Sequence, residues 1–216
     1  MKLGLLGDIH AEDERLAAAL EIFRREHVDQ ILFVGDVVDG EGDVDRCCAL
    51  LAAAGALGVR GNHDRWILED RMRSLPNAHH KDELAPPSLA LLSALPATRD
   101  VQTPRGALLL CHGVGDDDMQ RLRPDDHGYA LESNIALEKL LDAKRWTFAV
   151  GGHTHERMVR AFGGSGDLVF VNPGTLARDH TPCCAIFDVA HGRVAFFDLE
   201  DPSAPRPEEE IAIPVG

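Results

Sequence analysis

Five apolar runs in this sequence are each followed at once by Asp, Asn or His, with a glycine at or near the turn. Runs of this length and composition predict buried strands. The polar residues that follow them are Asp8 and His10, Asp36, Asn62, His112, and His153 and His155. Because ligands of an open α/β sheet bind outside the carboxyl ends of its strands, these side chains are expected to meet at one edge. Asp, Asn and His bind metal ions, so the sequence predicts a metal site there.

Length and charge limit the number of domains and the kinds of partner. The 216 residues suffice for one domain, to which we assign residues 1–200, and residues 201–216 are interpreted as a loosely attached, acidic, proline-rich tail. The formal net charge is −14, and nothing in the sequence resembles a basic stripe. Such a chain repels polyanions and anionic lipids, so we expect neither long nucleic acid nor a membrane as its partner.

Cysteine usage and the first residues both indicate the cytoplasm. The chain has five cysteines, an odd number that includes two adjacent pairs and no C-x-x-C spacing, which argues against a disulfide framework and a zinc ribbon. Reduced, mostly buried thiols are therefore expected. The apolar run before Asp8 is too short for a signal peptide, and no segment approaches the length of a membrane span.

The first third of the chain predicts a parallel sheet with helices packed on it. Apolar runs alternate with helical periodicity, which predicts strand 2–7, helix 12–26, strand 30–34, helix 43–54 and strand 56–59. A β-α-β-α-β order implies parallel strands joined by helical crossovers.

The middle of the chain is less regular, and the last third predicts a second sheet that packs on the first. The next predicted elements are helix 65–74, loop 77–87, helix 88–95, strands 98–102 and 107–111, helix 132–143 and strand 146–150. Short turns join strands near 157–161, 168–171, 183–188 and 193–198, which is typical of antiparallel pairing. The Gly- and Asp-rich stretch 113–131 is long for a plain connection and is interpreted as either a lid or a disordered loop. The predicted fold class is α/β.

Spacing within the polar motifs indicates how the ligands are arranged. Asp8 and His10 are two residues apart in extended chain, so their side chains face the same way, and the same holds for His153 and His155. The carboxylate of Asp36 has two oxygens and can bridge two metal ions. Seven candidate ligands are too many for one four-coordinate zinc ion and about right for two ions that leave room for water.

Charge arithmetic indicates the kind of substrate. Asp8 and Asp36, together with two divalent ions and a bridging hydroxide, leave the centre at roughly +1, which attracts a phosphate despite the acidic chain. Two ions a few ångströms apart hold both an attacking hydroxide and the phosphoryl oxygens. That geometry serves in-line displacement at phosphorus.

His63 is predicted to act without binding metal. It follows Asn62 directly, so its side chain points elsewhere than that ligand. Asp64 is expected to orient the imidazole and raise its basicity, which makes His63 and Asp64 the predicted catalytic residues. His63 would protonate the leaving-group oxygen or contact a substrate oxygen. The structural alternative is that the two residues cap a helix.

Taken together, the polar motifs resemble the signature of the calcineurin-like metallophosphoesterases. The matching motifs, in that family's order, are GDIH, GDVVDG, GNHD, CHG and GHTH, followed by NPGT at 172–175. The resemblance implies a two-layer β-sandwich flanked by helices, in four αββα layers, and a dinuclear centre. It implies that one ion is held by Asp8, His10, Asp36 and His155, and the other by Asp36, Asn62, His112 and His153.

Two positions depart from subgroups of that family. Its protein Ser/Thr phosphatases have a phosphate-gripping arginine directly after GDxVD, where this chain has Gly40. Its small bacterial phosphodiesterases, which are similar in size, often replace the histidine of GNHD with cysteine, where this chain has His63. The histidine favours cleavage of monoesters, or of diesters with a poor leaving group. The sequence therefore lies between the two subgroups.

The resulting hypothesis is a cytoplasmic, dinuclear-metal-dependent hydrolase of small phosphate mono- or diesters. Mn²⁺ is the preferred ion because oxygen ligands mix with imidazoles, and Fe, Zn²⁺ or Ni²⁺ also suit such a site. A phosphoprotein Ser/Thr phosphatase is the first alternative, and Gly40 counts against it. The second is a non-catalytic scaffold of the same fold, as in the retromer subunit, which predicts eroded ligands. The oligomeric state is left open, a homodimer included.

Other polar residues receive simpler interpretations. Asp39 is expected to satisfy loop amides. Arg65 and Arg178 are candidates to replace the missing phosphate arginine. Solvated loop positions are expected for His79, His80, His127, His180 and His191. Of these, His127 lies in the loop that follows His112, from which it would fold over the metal ions.

Overall fold

Helices and strands alternate through most of the chain, and its last six elements are all strands. The structure is a computed structural model that describes residues 1–163 and 168–213. The first elements are β1 (Lys2–Leu6), α1 (Asp13–Arg25), β2 (Gln30–Phe33), α2 (Val44–Ala53), β3 (Leu57–Gly58), α3 (Asn62–Leu68), a 3-10 turn (Lys81–Glu83) and α4 (Pro86–Ala94). The middle elements are β4 (Arg99–Thr103), β5 (Gly106–Leu110), α5 (Tyr129–Glu132), α6 (Ile135–Ala143) and β6 (Phe148–Val150). The last are β7 (Met158–Phe162), β8 (Leu168–Asn172), β9 (Cys183–Asp188), β10 (Arg193–Asp198) and β11 (Arg206–Ala212).

These strands form two sheets, each with a parallel centre. The first sheet has six strands in the order β11-β10-β9-β1-β2-β3, in which β1, β2 and β3 are parallel. The second has five strands in the order β4-β5-β6-β8-β7, in which β5, β6 and β8 are parallel. Because parallel strands end at the same edge, each sheet collects its polar motifs there.

Alternate side chains of each strand face opposite layers. Leu3 and Leu5 of β1 pack with Leu108 of β5 and Phe148 of β6 between the two sheets. The outer face of the first sheet packs against α1 and α2, and that of the second against α6. Full burial of each such side chain contributes about 1.5–3 kcal/mol. The predicted α/β sandwich with αββα layers is confirmed. The assignment of the strands near 183–188 and 193–198 to the second sheet is wrong, because β9 pairs with β1 and β10 with β9 in the first sheet.

Helix α3 begins earlier and ends earlier than the predicted helix 65–74. It begins at Asn62, and the carboxylate of Asp64 accepts the N–H of Gly61 at 3.0 Å, which caps the first turn. It ends at Leu68, because the chain takes left-handed conformations at Asp70 (φ 55°) and Met72 (φ 57°). The predicted bounds were therefore wrong at both ends. The periodic sequence pattern continues past Leu68, but the left-handed residues end the helix there.

The expected C-terminal tail is part of the first sheet. Strand β11 pairs antiparallel with β10, with Ile211 opposite Val194. The Glu208 carboxylate forms an ion pair with Arg157 after β6. The expectation of a loosely attached tail is thus wrong for residues 206–212, while 214–216 lie outside the described residues. An edge strand has one ladder partner and mostly exposed side chains, so it carries charge in place of an apolar pattern.

The stretch 113–131 folds into consecutive turns. Val114 and Asp117 form a β-bridge, Leu122 is buried, and α5 begins at Tyr129. This segment lies between β5 and α6 and forms one wall of the groove described below. Within residues 1–163 and 168–213, no helix combines the length and the hydrophobicity that a membrane span requires.

Candidate metal centre

The predicted ligands converge at one end of the sandwich. Asp8 and His10 follow β1, Asp36 follows β2, Asn62 opens α3, His112 follows β5, and His153 and His155 follow β6. The structure contains two groups of side chains that could each hold a metal ion: Asp8 with His10 and His155, and Asp36 with His112 and His153. Within each group, the candidate ligand atoms all lie within 4.8 Å of one another. We call the two groups the Asp8 group and the Asp36 group.

The two groups touch each other, and Asn62 joins the Asp36 group. Asn62 Oδ1 lies 2.9 Å from His112 Nε2. The same nitrogen lies 3.2 Å from Asp36 Oδ2 and 3.8 Å from Asp8 Oδ1. All seven predicted ligands therefore lie together, whereas the sharing of Asp36 between two ions stays a prediction.

The surroundings of His112 fit a cation. Its Nδ1 lies 2.8 Å from the carbonyl oxygen of Val34, which can only accept, so Nδ1 carries the proton of the neutral ring. Its Nε2 lone pair then faces the oxygens of Asn62 and Asp36. With a neutral ring, three acceptors point at one another, and this arrangement requires a positive charge between them: a proton on Nε2 or a divalent ion that displaces it.

The other imidazoles repeat this arrangement. His10 Nδ1 lies 2.8 Å from the carbonyl oxygen of Asp39, so the Nε2 lone pair of His10 faces His155 Nε2 at 3.1 Å. His153 Nε2 is buried and has no hydrogen-bond partner within the described part of the chain. Mixed imidazole and carboxylate donors suit Mn²⁺, Fe, Zn²⁺ or Ni²⁺, so the residues present fit two divalent ions.

Four of the predicted ligands have a strained backbone. The φ angles are 47° at His10, 47° at Asp36, 67° at His153 and 61° at His155, all in the left-handed region that favours glycine. Each such residue costs on the order of 1 kcal/mol, and such residues cluster at functional sites. The close approach of Gly152 adds to this crowding, because a Cβ atom there would lie 2.6 Å from Asp8 Oδ2.

Burial and neighbouring charges prepare these imidazoles differently. Burial lowers the pKa of His112, but the carboxylates of Asp36 and Asp8 outweigh it and raise that pKa to about 10. Burial lowers the pKa of His155 to about 4, although Asp8 opposes this shift. Burial and His112 also lower the pKa of His153. Metal ions bind the neutral imidazole ring. The lowered pKa values of His153 and His155 favour that neutral form, whereas at His112 a metal ion must displace a proton.

His63 lies beside this centre, but its partner differs from the predicted one. Its Nδ1 lies 2.7 Å from Asp39 Oδ2. The carboxylate of Asp64 accepts the backbone N–H groups of Val37 at 2.8 Å and Gly61 at 3.0 Å, an arrangement we call the Asp64 clamp. The prediction that Asp64 orients His63 is therefore wrong, because adjacent helical residues point in different directions.

Asp39 is the hydrogen-bond partner of His63 that the sequence pattern did not indicate. It forms what we call the Asp39 cluster with His63, Arg73 and His79. Arg73 donates Nη1–H and Nη2–H to the two carboxylate oxygens at 2.8 and 2.9 Å, and the backbone N–H of His79 donates to Oδ1 at 2.9 Å. Asp39 was expected to accept only loop amides, but it also binds two side chains. His79 was expected to be solvated, but its Nδ1 accepts the backbone N–H of Asp39. The sequence feature that could have indicated this role is the position of Asp39, three residues after the predicted ligand Asp36.

The position of the missing arginine has no room for a side chain. A Cβ atom at Gly40 would lie 1.9 Å from the carbonyl oxygen of His10. The two proposed replacements are already paired with acids, Arg65 with Asp118 at 2.7 Å and Arg178 with Glu12 at 2.7 Å. Their role in holding phosphate stays a prediction.

Two loop histidines differ in their relation to the site. The His180 ring packs edge-on against His155 with 4.4 Å between centroids, although its side chain is 45% exposed. His180 thus lies at the rim of the site, where the sequence indicated only solvent. His127 is exposed. Its predicted position over the metal ions is not seen.

Comparisons with known proteins agree with this geometry. The family described as the calcineurin-like phosphoesterase superfamily domain matches residues 1–192. A metallophosphoesterase from Sphaerobacter thermophilus has a TM-score of 0.68 at 22% identity, over 91% of this chain and 86% of that chain. The phosphoesterase Yfce from E. coli has a TM-score of 0.60 at 18% identity, over 99% and 100%. Vps29 of Entamoeba histolytica, solved with Zn²⁺, has a TM-score of 0.59 at 16% identity, over 98% of both chains.

These structural likenesses concern the fold, since the identities are low. No curated protein sequence matches the chain. The family match is of another kind, because it covers the sequence from the first strand through β9 and includes every residue of the two groups. The chain belongs to the calcineurin-like phosphoesterase superfamily.

Proposed function

We propose that this protein is a metal-dependent hydrolase of small phosphate mono- or diesters. The observation that carries the proposal is the pair of candidate ligand groups, the Asp8 group and the Asp36 group, with a hydrogen-bonded histidine beside them. Two divalent ions, when bound, supply positive charge for phosphoryl oxygens and lower the pKa of a water molecule. The other contributions come from side chains of the chain itself.

His63 is the proposed proton donor to the leaving group. Its Nδ1–H is engaged by Asp39, so Nε2 is the nitrogen left for a substrate. Burial lowers the pKa of His63, but the hydrogen bond to Asp39 and the charge of Asp36 raise it above its ordinary value. This shift favours the protonated ring, which can donate its Nε2–H to the departing oxygen.

Metal identity, partner and compartment complete the proposal. Mn²⁺ is the proposed ion, since each group combines a carboxylate with two imidazoles. A small phosphate ester is the proposed partner, because the net charge of −14 disfavours long polyanions. The five free, buried cysteines favour the cytoplasm, where thiols stay reduced.

A phosphoprotein phosphatase is the weaker enzymatic alternative. The superfamily's protein phosphatases resemble this chain in GDVVDG, but the backbone at Gly40 leaves no room for the arginine they carry. A non-catalytic scaffold predicts eroded ligands, whereas all seven are present and converge. The hydrolase therefore remains the proposed function.

Turnover of two model esters tests the proposal. Protein stripped of metal and reloaded with Mn²⁺ is assayed with p-nitrophenyl phosphate and bis-p-nitrophenyl phosphate. We expect metal-dependent turnover of at least one ester. His112→Gln should abolish turnover, and His191→Gln, on an exposed turn, serves as the matched control. A metal-loaded wild type that hydrolyses neither ester contradicts the proposal.

A further inference from the structure

A small cavity lies against the Asp36 group. Its volume is about 190 Å³, and His112 forms part of its wall. The remaining lining residues come from the turn before α3, from α3, from the segment between α4 and β4, and from the loop after β5: Arg60, Arg65, Ala97, Gly115, Asp116 and Asp118. Two guanidinium groups therefore line the space directly beside the proposed site of phosphorus chemistry.

The two arginines differ in whether an acidic side chain pairs with them. Arg65 donates to both oxygens of Asp118, at 2.7 and 3.0 Å, so its charge is neutralised. Arg60 forms no ion pair within residues 1–163 and 168–213. Its backbone N–H donates to the carbonyl oxygen of Pro96 at 2.8 Å, which fixes the residue two positions before Asn62. A partly buried, uncommitted guanidinium is a ready partner for an anion.

The cavity continues into a larger groove. Gly115, Asp116 and Asp118 line both, and the groove has a volume of about 890 Å³. Its far wall includes Leu140 of α6 and Trp146, which offer apolar surface. Asp116 is exposed and stands where the two spaces meet, whereas Arg60 is partly buried. An extended substrate would thus meet the metal centre, then a guanidinium, then an apolar wall.

We propose that this cavity is a subsite for a second phosphate, and that the substrates are organic diphosphates such as nucleoside diphosphates. The inference rests on the proposed function and adds the substrate class. A water oxygen bonds to the terminal phosphorus, and the bond from that phosphorus to the bridging oxygen breaks. The electron pair stays on the second phosphate, whose charge Arg60 offsets. One proton of the water stays on the released phosphate and the other passes to solvent.

A comparison of ADP with AMP tests the subsite. The ratio of kcat/KM for ADP to that for AMP is measured in Mn²⁺-loaded wild type, Arg60→Gln and Arg25→Gln. Arg25 is an exposed residue of α1, so its replacement changes net charge equally. A lost charge-assisted hydrogen bond predicts that Arg60→Gln lowers the ratio about tenfold, while Arg25→Gln leaves it unchanged. An unchanged ratio in Arg60→Gln, or an equal fall in both variants, overturns the subsite.

The subsite and the proposed function fail in distinguishable ways. A wild type that hydrolyses p-nitrophenyl phosphate but not ADP overturns the subsite and leaves the hydrolase in place. If neither is hydrolysed, titration of the metal-free protein with pyrophosphate decides the subsite by itself. We then expect Arg60→Gln, and not Arg25→Gln, to weaken pyrophosphate binding about tenfold. Equal binding by all three proteins contradicts the inference.

Discussion

The Asp39 cluster and the Asp64 clamp each bury a carboxylate close to His63, and they hold it in opposite ways. Asp39 accepts from the side chains of His63 and Arg73 in addition to the backbone N–H of His79. Within residues 1–163 and 168–213, Asp64 is bound by backbone N–H groups alone. Both side chains are almost fully buried. The difference between the two regions therefore lies in their partners and not in their exposure to solvent.

The two carboxylates titrate in opposite directions as a result. Burial raises the pKa of Asp39, but the hydrogen bonds from His63 and Arg73 outweigh burial and lower it. Burial and the charge of Asp36 raise the pKa of Asp64 to about 6. Asp39 thus stays an anion that can act on His63, whereas Asp64 fixes the backbone of the turn that carries Asn62. Hydrogen-bond partners with positive charge, and not depth of burial, decide whether the pKa of each carboxylate is lowered or raised.

Asp39→Asn is expected to have the largest effect of the changes that probe this comparison. The variant loses the anion that keeps His63 protonated and oriented. We expect kcat for an alkyl phosphate to fall about 10²–10⁴-fold, and that for p-nitrophenyl phosphate to fall less, because a good leaving group needs no proton. Steady-state kinetics with both esters check this. An equal fall for both would show that Asp39 does not act through His63.

Arg73→Gln is expected to destabilise the fold. The Arg73 side chain is 8% exposed and that of Asp39 is 2% exposed, so removal of the guanidinium leaves a buried carboxylate short of a partner. We expect a loss of about 3 kcal/mol in the free energy of unfolding, measured by urea denaturation. Arg71→Gln, with a side chain 65% exposed, is the control, and its effect should stay within about 0.5 kcal/mol. Similar losses in both variants would contradict a special role for the Asp39 cluster.

The stability difference between wild type and Arg73→Gln should depend on pH. The pKa of Asp39 in the folded protein is lowered, so its contribution to stability is present above the unfolded value of about 4 and is lost as the pH falls through the folded value. We expect the difference to be constant from pH 7 to about 5 and to shrink below about 4. Urea denaturation of metal-free protein across this range measures it. A difference that grows at low pH would reverse the assignment.

Asp64→Asn is expected to have the smallest effect. The asparagine keeps one carbonyl oxygen for the N–H of Val37 and loses the acceptor for the N–H of Gly61, at a cost of about 1 kcal/mol. The ratio of alkyl phosphate to p-nitrophenyl phosphate turnover should stay at its wild-type value, in contrast to Asp39→Asn. A shifted ratio would restore Asp64 as the partner of His63.

Much of the fold and of the metal centre follows from local sequence pattern. Apolar runs followed by Asp, Asn or His placed the seven ligands, because a strand end fixes both the position and the direction of the next few residues. Strand β11 was not predicted from the sequence pattern, because it is an edge strand with exposed acidic side chains and no apolar run. The early end of α3 was not predicted from the sequence pattern either, since it depends on the left-handed backbone conformations of Asp70 and Met72.

The partner of His63 depends on contacts between distant residues. Asp39 precedes His63 by 24 residues, and Arg73 follows Asp39 by 34. Sequence adjacency favoured Asp64 instead, although neighbours in a helix do not face each other. The turn after β2 and the left-handed residues after α3 bring the Asp39 cluster together, and neither has a periodic signature.

Anomalous diffraction from crystals loaded with Mn²⁺ tests whether the strand ends build a dinuclear centre. We expect two peaks separated by about 3.5–4 Å, one in the Asp8 group and one in the Asp36 group. A single peak, or peaks outside both groups, would contradict it.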